Sequence, residues 1–286
     1  MKRTRTSEFG TVSRSGHDAS KFYAKRIYED VDSVGKEHSP IIDENQPSNL
    51  DVIHCADSRN MDHLPDRSIH LMITSPPYNV GKEYDDDLSL LEYGRLLSDV
   101  LRETHRVLVN GGRACVNIAN VGRSPYIPLH SLVIDSARAC GLLMRGEVIW
   151  DKGASSGSSC AWGSWKSASN PVLRDVHEYI LVFTKGSFKR TASGENSIGR
   201  DEFLEFTKSV WRFPAASARK ANHPAPFPLE LPRRLIQLYS FVGDVVLDPF
   251  MGSGTTAQAA NMLGRRYVGY EINKNYVEQS MRLLGE

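Results

Sequence analysis

A chain of 286 residues with 40% hydrophobic and 24% charged content is long enough for one large α/β domain or two small ones, and its make-up is that of a soluble folded protein. A net charge of +1 excludes a globally basic nucleic-acid binder, so any phosphate contact has to come from local clusters of Lys and Arg. No apolar run approaches a membrane span, the basic amino terminus lacks the apolar core of an export signal, and Cys55, Cys115, Cys140 and Cys160 lack zinc or disulfide spacing; a cytoplasmic protein without a metal or membrane anchor is expected.

Residues 1–46 mix charge, Ser and Gly with little apolar periodicity and predict a flexible or loosely docked arm. From Leu50 the pattern changes. "DVIHCADS" and "IHLMIT" are continuous apolar runs of the kind buried on both faces of a parallel sheet. Leu90, Leu91, Leu97, Val100, Leu101, Val107 and Leu108 recur at helical spacing, and Asn110-Gly111-Gly112 reads as the helix stop. "RACVNIAN" is a strand, "PLHSLVIDSARACG" a helix closed by Gly141, and "LLMRGEVIW" a strand. Residues 151–171 are irregular and rich in Gly, Ser and Trp, "VHEYILVFT" is a strand, and residues 185–222 are again irregular. The last third alternates cleanly: helix "LPRRLIQLYSF" with Pro232 in its first turn, strand "DVVLDP", helix "TTAQAANML" closed by Gly264, strand "RRYVGYEI", helix "NYVEQSMRLL". This alternation implies an α/β fold, a mostly parallel, doubly wound sheet with helices on both faces.

Two loops carry the chemistry. In "TSPPYN" a buried strand stops at Pro76 and Pro77, which donate no backbone hydrogen bond and fix their φ angles, leaving carbonyls and the Tyr78 ring turned outward. In "LDPFMGSGTT" a strand runs into Asp248, and a loop with Gly252 and Gly254 opens onto a helix whose first N–H groups are free. Glu271 ends the next strand 23 residues later, near the spacing at which an acidic residue takes ribose hydroxyls in dinucleotide-type folds. The loop lacks the Lys of a phosphate loop and the third Gly of GxGxxG, which favours an adenosine ligand without a pyrophosphate over a purely structural turn.

Together, "TSPPYN" at 74–79 and "LDPFMGSGTT" at 247–256 resemble the S-adenosylmethionine-dependent DNA amino-methyltransferases, in the motif order of the β subclass. "HPAPFP" at 223–228 and "WGSW…NPVLRDVHEYILVFTKG" are similar to further segments of that family, and the resemblance spans roughly residues 48–284. It implies a Rossmann-like methyltransferase fold with S-adenosylmethionine as cofactor. Ser75, Pro76, Pro77 and Tyr78 would be catalytic, and Asp248, Pro249, Phe250, Gly252, Ser253, Gly254, Thr255 and Glu271 would bind the cofactor, with His223 and Pro224 covering its methionine end. Asp57 would touch the adenine, although by position alone it reads equally as a helix cap. The implied organisation is an arm (1–46), a catalytic half (47–184), a small target-recognition region (185–222) and a cofactor-binding half (223–286). The resemblance links SPPY mainly to cytosine N4 and DPPY mainly to adenine N6. Both bases present an amino donor, so the chemistry forces neither.

Residues 151–220 hold eleven Lys and Arg against seven Asp and Glu, an excess of +4. With Trp162, Trp165 and Trp211 in irregular stretches, this suits double-stranded DNA, and Lys152, Trp162, Trp165, Lys166, Arg174, Lys189 and Arg190 are the expected contacts. Any one of these Lys or Trp residues has the blander reading of a solvated or core side chain. The acidic "EYDDD" at 83–87 disfavours phosphate there. A cognate restriction endonuclease acting on the same site is the expected companion. A non-catalytic nucleic-acid-binding module and a methyltransferase for RNA or protein amides are the competing classes.

Overall fold

A computed structural model describes residues 24–28, 44–78, 87–122, 124–153, 163–216 and 228–285. The chain divides into two compact units, Met1–Ser39 and Pro40–Glu286. Of the first, the described part holds one 3-10 turn, Arg26–Tyr28. The Asn45 amide donates to the Arg67 carbonyl at 2.8 Å and its side chain to the Asp66 carbonyl at 2.7 Å, so the chain is already docked there.

The second unit carries an eight-stranded sheet in the order β1-β10-β9-β2-β3-β7-β6-β8. Its strands are β1 (Val52–Cys55), β2 (Ile69–Thr74), β3 (Leu108–Ile118), β6 (Leu142–Asp151), β7 (His177–Lys185), β8 (Val210–Arg212), β9 (Val245–Asp248) and β10 (Arg266–Glu271). β4 (Val121–Gly122) and β5 (Tyr126–Ile127) form a separate two-stranded ribbon. All pairings in the large sheet are parallel except those of β7, which runs antiparallel to both β3 and β6. The helices are α1 (Leu90–Val107), α2 (Leu129–Ala139), α3 (Arg200–Phe206), α4 (Glu230–Tyr239), α5 (Thr255–Met262) and α6 (Lys274–Leu284).

Two apolar cores follow from the alternating faces of the strands. One packs Leu97, Val100 and Leu101 of α1 and Val133 of α2 on Met72, Val116 and Phe183. The other packs Leu235 and Ile236 of α4 and Ala257 and Ala260 of α5 on Ile73, Val182 and Val246. The expected Rossmann-like sheet covered on both faces is present.

Three expectations are corrected. The Asn110-Gly111-Gly112 stretch does not stop a helix. α1 starts with a Ser89–Glu92 capping box and ends at Val107, where Leu108 turns extended; Gly111, at φ +77°, lies inside β3. There the pairing steps from Ile69 opposite Leu108 to Leu71 opposite Arg113, so the glycines absorb extra residues as a bulge. Residues 185–222 are not wholly irregular, because α3 forms and β8 adds a parallel edge strand beside β6. Nor is Trp211 a wedge for DNA. It sits on β8, fully buried, its indole N–H donating to the Phe206 carbonyl at 3.1 Å and its ring 5.3 Å from the Arg234 guanidinium. Trp211→Ala is expected to lower stability by about 3–5 kcal/mol, read as a shift of the urea midpoint.

Candidate active site

Four adjacent parallel strands, β1, β10, β9 and β2, end on the same edge of the sheet, and each delivers one expected site segment there. The turn with Asp57 follows β1, Glu271 ends β10, the Asp248–Thr255 loop follows β9, and Ser75–Tyr78 follow β2. Such an edge is where open α/β sheets hold their ligands.

Asp248 is fully buried. Its Oδ1 accepts from the Thr74 hydroxyl at 2.7 Å and the Phe250 amide at 3.0 Å, and its Oδ2 from the Thr256 hydroxyl at 2.6 Å. Burial pushes its pKa up to about 6 despite these donors. Pro249 is buried, while Gly252, Ser253 and Thr255 are half-buried along the loop. Gly254 caps α5 at φ +86°, and a Cβ there would stand 2.7 Å from the Ser280 Cβ, which accounts for the glycine. Glu271 accepts the Gly252 amide at 2.9 Å and the Asn273 amide at 2.8 Å, and burial raises its pKa. Asp57 accepts the Arg59 amide at 2.9 Å and the Arg59 Nε at 2.8 Å, and these bonds hold its carboxyl below the usual range. It closes a turn, and no helix follows for it to cap. Asp248 and Asp57 each use three of their roughly four lone-pair sites in hydrogen bonds, and Glu271 has about two to spare. The spare acceptors on this edge fit ribose hydroxyls and an adenine amino group. His223 and Pro224 lie outside the described residues.

Pro76 is buried and lines a small apolar cavity together with Phe250, so the two motif loops meet. Ser75, Pro77 and Tyr78 are half-buried. The Ser75 Oγ lies 3.1 Å from the Tyr78 hydroxyl, and the Tyr78 hydroxyl donates to the Glu178 Oε2 at 3.0 Å. The Asn117 Nδ2 donates to the same Oε2 at 2.7 Å and to the Tyr78 oxygen at 3.0 Å. Lys152 Nζ donates to the Glu178 Oε1 at 3.0 Å. Burial and the nearby Glu178 carboxylate hold the Tyr78 pKa well above that of a free phenol, so the hydroxyl keeps its proton. Asn117 and Glu178 were not singled out from sequence. Their only signal is a polar residue interrupting the apolar runs "RACVNIAN" and "VHEYILVFT".

The expected DNA contacts separate. Trp165 and Lys166 are exposed, with the ammonium 5.6 Å from the ring centroid, and Arg174 is exposed; all lie between β6 and β7, which meet at Asp151 and His177 on the site edge. Lys152 is turned inward onto Glu178. Arg190 pairs with Asp244, which precedes β9, and Lys189 adjoins it; both are at the opposite edge and do not join the site. Trp162 and residues 83–86 lie outside the described residues.

The family model described as DNA methylase, covering the N6 and N4 enzymes, matches residues 69–282. The chain belongs to this family. It is 33% identical over 267 residues to the type II methyltransferase M.MjaI of Methanocaldococcus jannaschii, covering 77% of this chain and 86% of that one. It is 27% identical over 248 residues to the DNA adenine methyltransferase YhdJ of Escherichia coli, covering 82% of each. The structure of TTHA0409 from Thermus thermophilus, complexed with S-adenosyl-L-methionine, superposes with a TM-score of 0.67 at 30% identity, over 82% of this chain and 92% of that one. The buried Asp248 joins the end of β2, which leads into the Ser75–Tyr78 loop, to the helix behind the glycine loop.

The raised pKa of Asp248 has a measurable sign. The folded state holds this proton more tightly than the unfolded chain, so the contribution of Asp248 to stability falls as pH rises from about 4 to about 6. Asp248→Asn should remove that dependence. In urea titrations the wild type is expected to lose roughly 3 kcal/mol relative to the variant across this window.

Proposed function

We propose that this DNA methyltransferase transfers a methyl group from S-adenosylmethionine to the N4 of a cytosine flipped out of double-stranded DNA. The observation that carries the reading is Ser75, not an acidic residue, standing at the catalytic position beside Tyr78 and tied through Thr74 and Asp248 to the glycine loop. A companion nuclease on the same site is part of the proposal, supported by the similarity to a type II methyltransferase.

The exocyclic amino nitrogen shares its lone pair with the ring and is a poor nucleophile. Acceptors placed on its N–H groups favour the pyramidal geometry in which the lone pair is free to attack. The Ser75 hydroxyl and the Pro76 carbonyl are those acceptors. The Tyr78 ring offers a stacking face that offsets the few kcal/mol needed to unstack the base. When bound, the cofactor would supply an electrophilic methyl group on its sulfonium: the S–CH3 bond would break as the N–CH3 bond forms, the sulfur leaving as a neutral thioether and the methylated amino group giving up one proton to solvent. Glu271 and Asp57 would take its hydroxyl and amino donors, the Gly252–Gly254 backbone would lie along it, and Asp248 sets the height of that loop against Ser75. Trp165, Lys166 and Arg174 are the DNA contacts that remain on the site edge.

Adenine N6 is the second reading, favoured by the similarity to YhdJ. Expression in a host without its own DNA methylation, followed by digestion to nucleosides and mass spectrometry, decides between them. N4-methylcytosine is expected; N6-methyladenine would move the substrate, and neither would end the proposal. Ser75→Ala is expected to lower turnover on the order of a hundredfold, and Tyr78→Ala roughly tenfold to a hundredfold.

A further inference from the structure

We infer that Glu178 sets the direction of the hydrogen bonds in the catalytic loop and thereby makes Ser75 an acceptor toward the target amino group. This rests on the methyl-transfer reading above and adds a positioning residue to it.

The reasoning follows the protons. An ionised carboxylate only accepts. The Tyr78 hydroxyl, 3.0 Å from the Glu178 Oε2, has one proton and gives it to that oxygen. Its own oxygen is then left to accept, and it has two neighbours, the Asn117 Nδ2 at 3.0 Å and the Ser75 Oγ at 3.1 Å. Ser75 therefore donates its proton to Tyr78. Of the two lone pairs of its Oγ, one faces the Asn117 Nδ2 at 3.4 Å and the other is left for an incoming N–H. The Asn117 amide is oriented by the same carboxylate, which takes its Nδ2 at 2.7 Å. Lys152, expected from sequence to touch DNA, fixes the other oxygen of Glu178 at 3.0 Å.

If the carboxylate were replaced by a group that donates to Tyr78, the bond between the Tyr78 and Ser75 hydroxyls would reverse, while the Asn117 Nδ2 would go on donating to the Tyr78 oxygen. Tyr78 would donate to Ser75, and Ser75 would point its proton at the base, where two donors would face one another. Glu178→Gln does this. With Lys152 present, the charge-assisted bond from the ammonium holds the amide oxygen and turns the NH2 to Tyr78, against the neutral Asn117 Nδ2 that faces the same position. Adding Lys152→Met frees the amide to rotate and to present its oxygen to Tyr78 again.

The experiment compares wild type, Glu178→Gln, Lys152→Met, Tyr78→Phe and the pairs Glu178→Gln/Lys152→Met and Glu178→Gln/Tyr78→Phe. Each is assayed for kcat with labelled S-adenosylmethionine on unmethylated genomic DNA, for cofactor Kd by calorimetry and for Tm. Glu178→Gln is expected to lower kcat by about tenfold or more, with cofactor Kd and Tm near wild type. Glu178→Gln/Lys152→Met is expected to be more active than Glu178→Gln, a gain that a merely structural role does not produce. Glu178→Gln/Tyr78→Phe is expected to be no slower than Tyr78→Phe, because the link is already cut. The inference is overturned by a Glu178→Gln enzyme of wild-type kcat, by no recovery in the Lys152→Met pair, or by additive losses in the Tyr78→Phe pair. Wild type that methylates no DNA would instead overturn the proposed function.

Discussion

The site depends on one buried carboxylate. Asp248 is taken out of water at the end of β9, an unfavourable transfer for a charge, and it is tolerated because three donors converge on it. Two of those donors belong to different halves of the site. Thr74 is the last residue of the strand that leads into the proline loop, and Thr256 stands in the first turn of the helix behind the glycine loop. Thr74 is thus held on an acid group 174 positions away in sequence, and the spacing between the two loops is set by hydrogen-bond lengths. A transfer reaction in which donor and acceptor have to meet in line is sensitive to such spacing.

The other half of the site depends on the one strand that runs against the rest. A parallel strand beside β3 would begin at the far edge of the sheet. Because β7 is antiparallel, its first residues stand at the edge where β2 and β3 finish, and Glu178 arrives beside Asn117 and Tyr78. The reversal also places the segment between β6 and β7, with its exposed Trp165 and Lys166, on the same edge.

The strands of this sheet were readable because they are continuous apolar runs, and the glycine loop was readable because its spacing has a backbone reason. The failures have physical causes too. Asn110-Gly111-Gly112 has the composition of a helix stop, but the same left-handed glycine that ends a helix also makes a bulge, and only the pairing with β2 decides. Trp211 lies in an apolar run too short to read as a strand, yet three residues are enough for an edge strand once β6 offers its hydrogen bonds. Arg190 counted toward a basic cluster because a tally of charge does not register that Asp244 neutralises it across the fold. Asn117 and Glu178 showed only as polar residues within apolar runs, since what brings them together is the register of two strands.

The edge strand β8 has a further consequence. Arg212 pairs in register with Asp151, and the Arg212 Nε bonds the Asp151 carboxylate at 2.9 Å. The next residue is Lys152, whose ammonium holds Glu178. The stretch from Gly199 to Arg212 is therefore no detachable cassette hung from a finished enzyme. An exchange of this stretch between relatives would also replace the strand that supports Asp151, Lys152 and Glu178. Under the proposed function, a change of DNA preference made this way would change turnover with it.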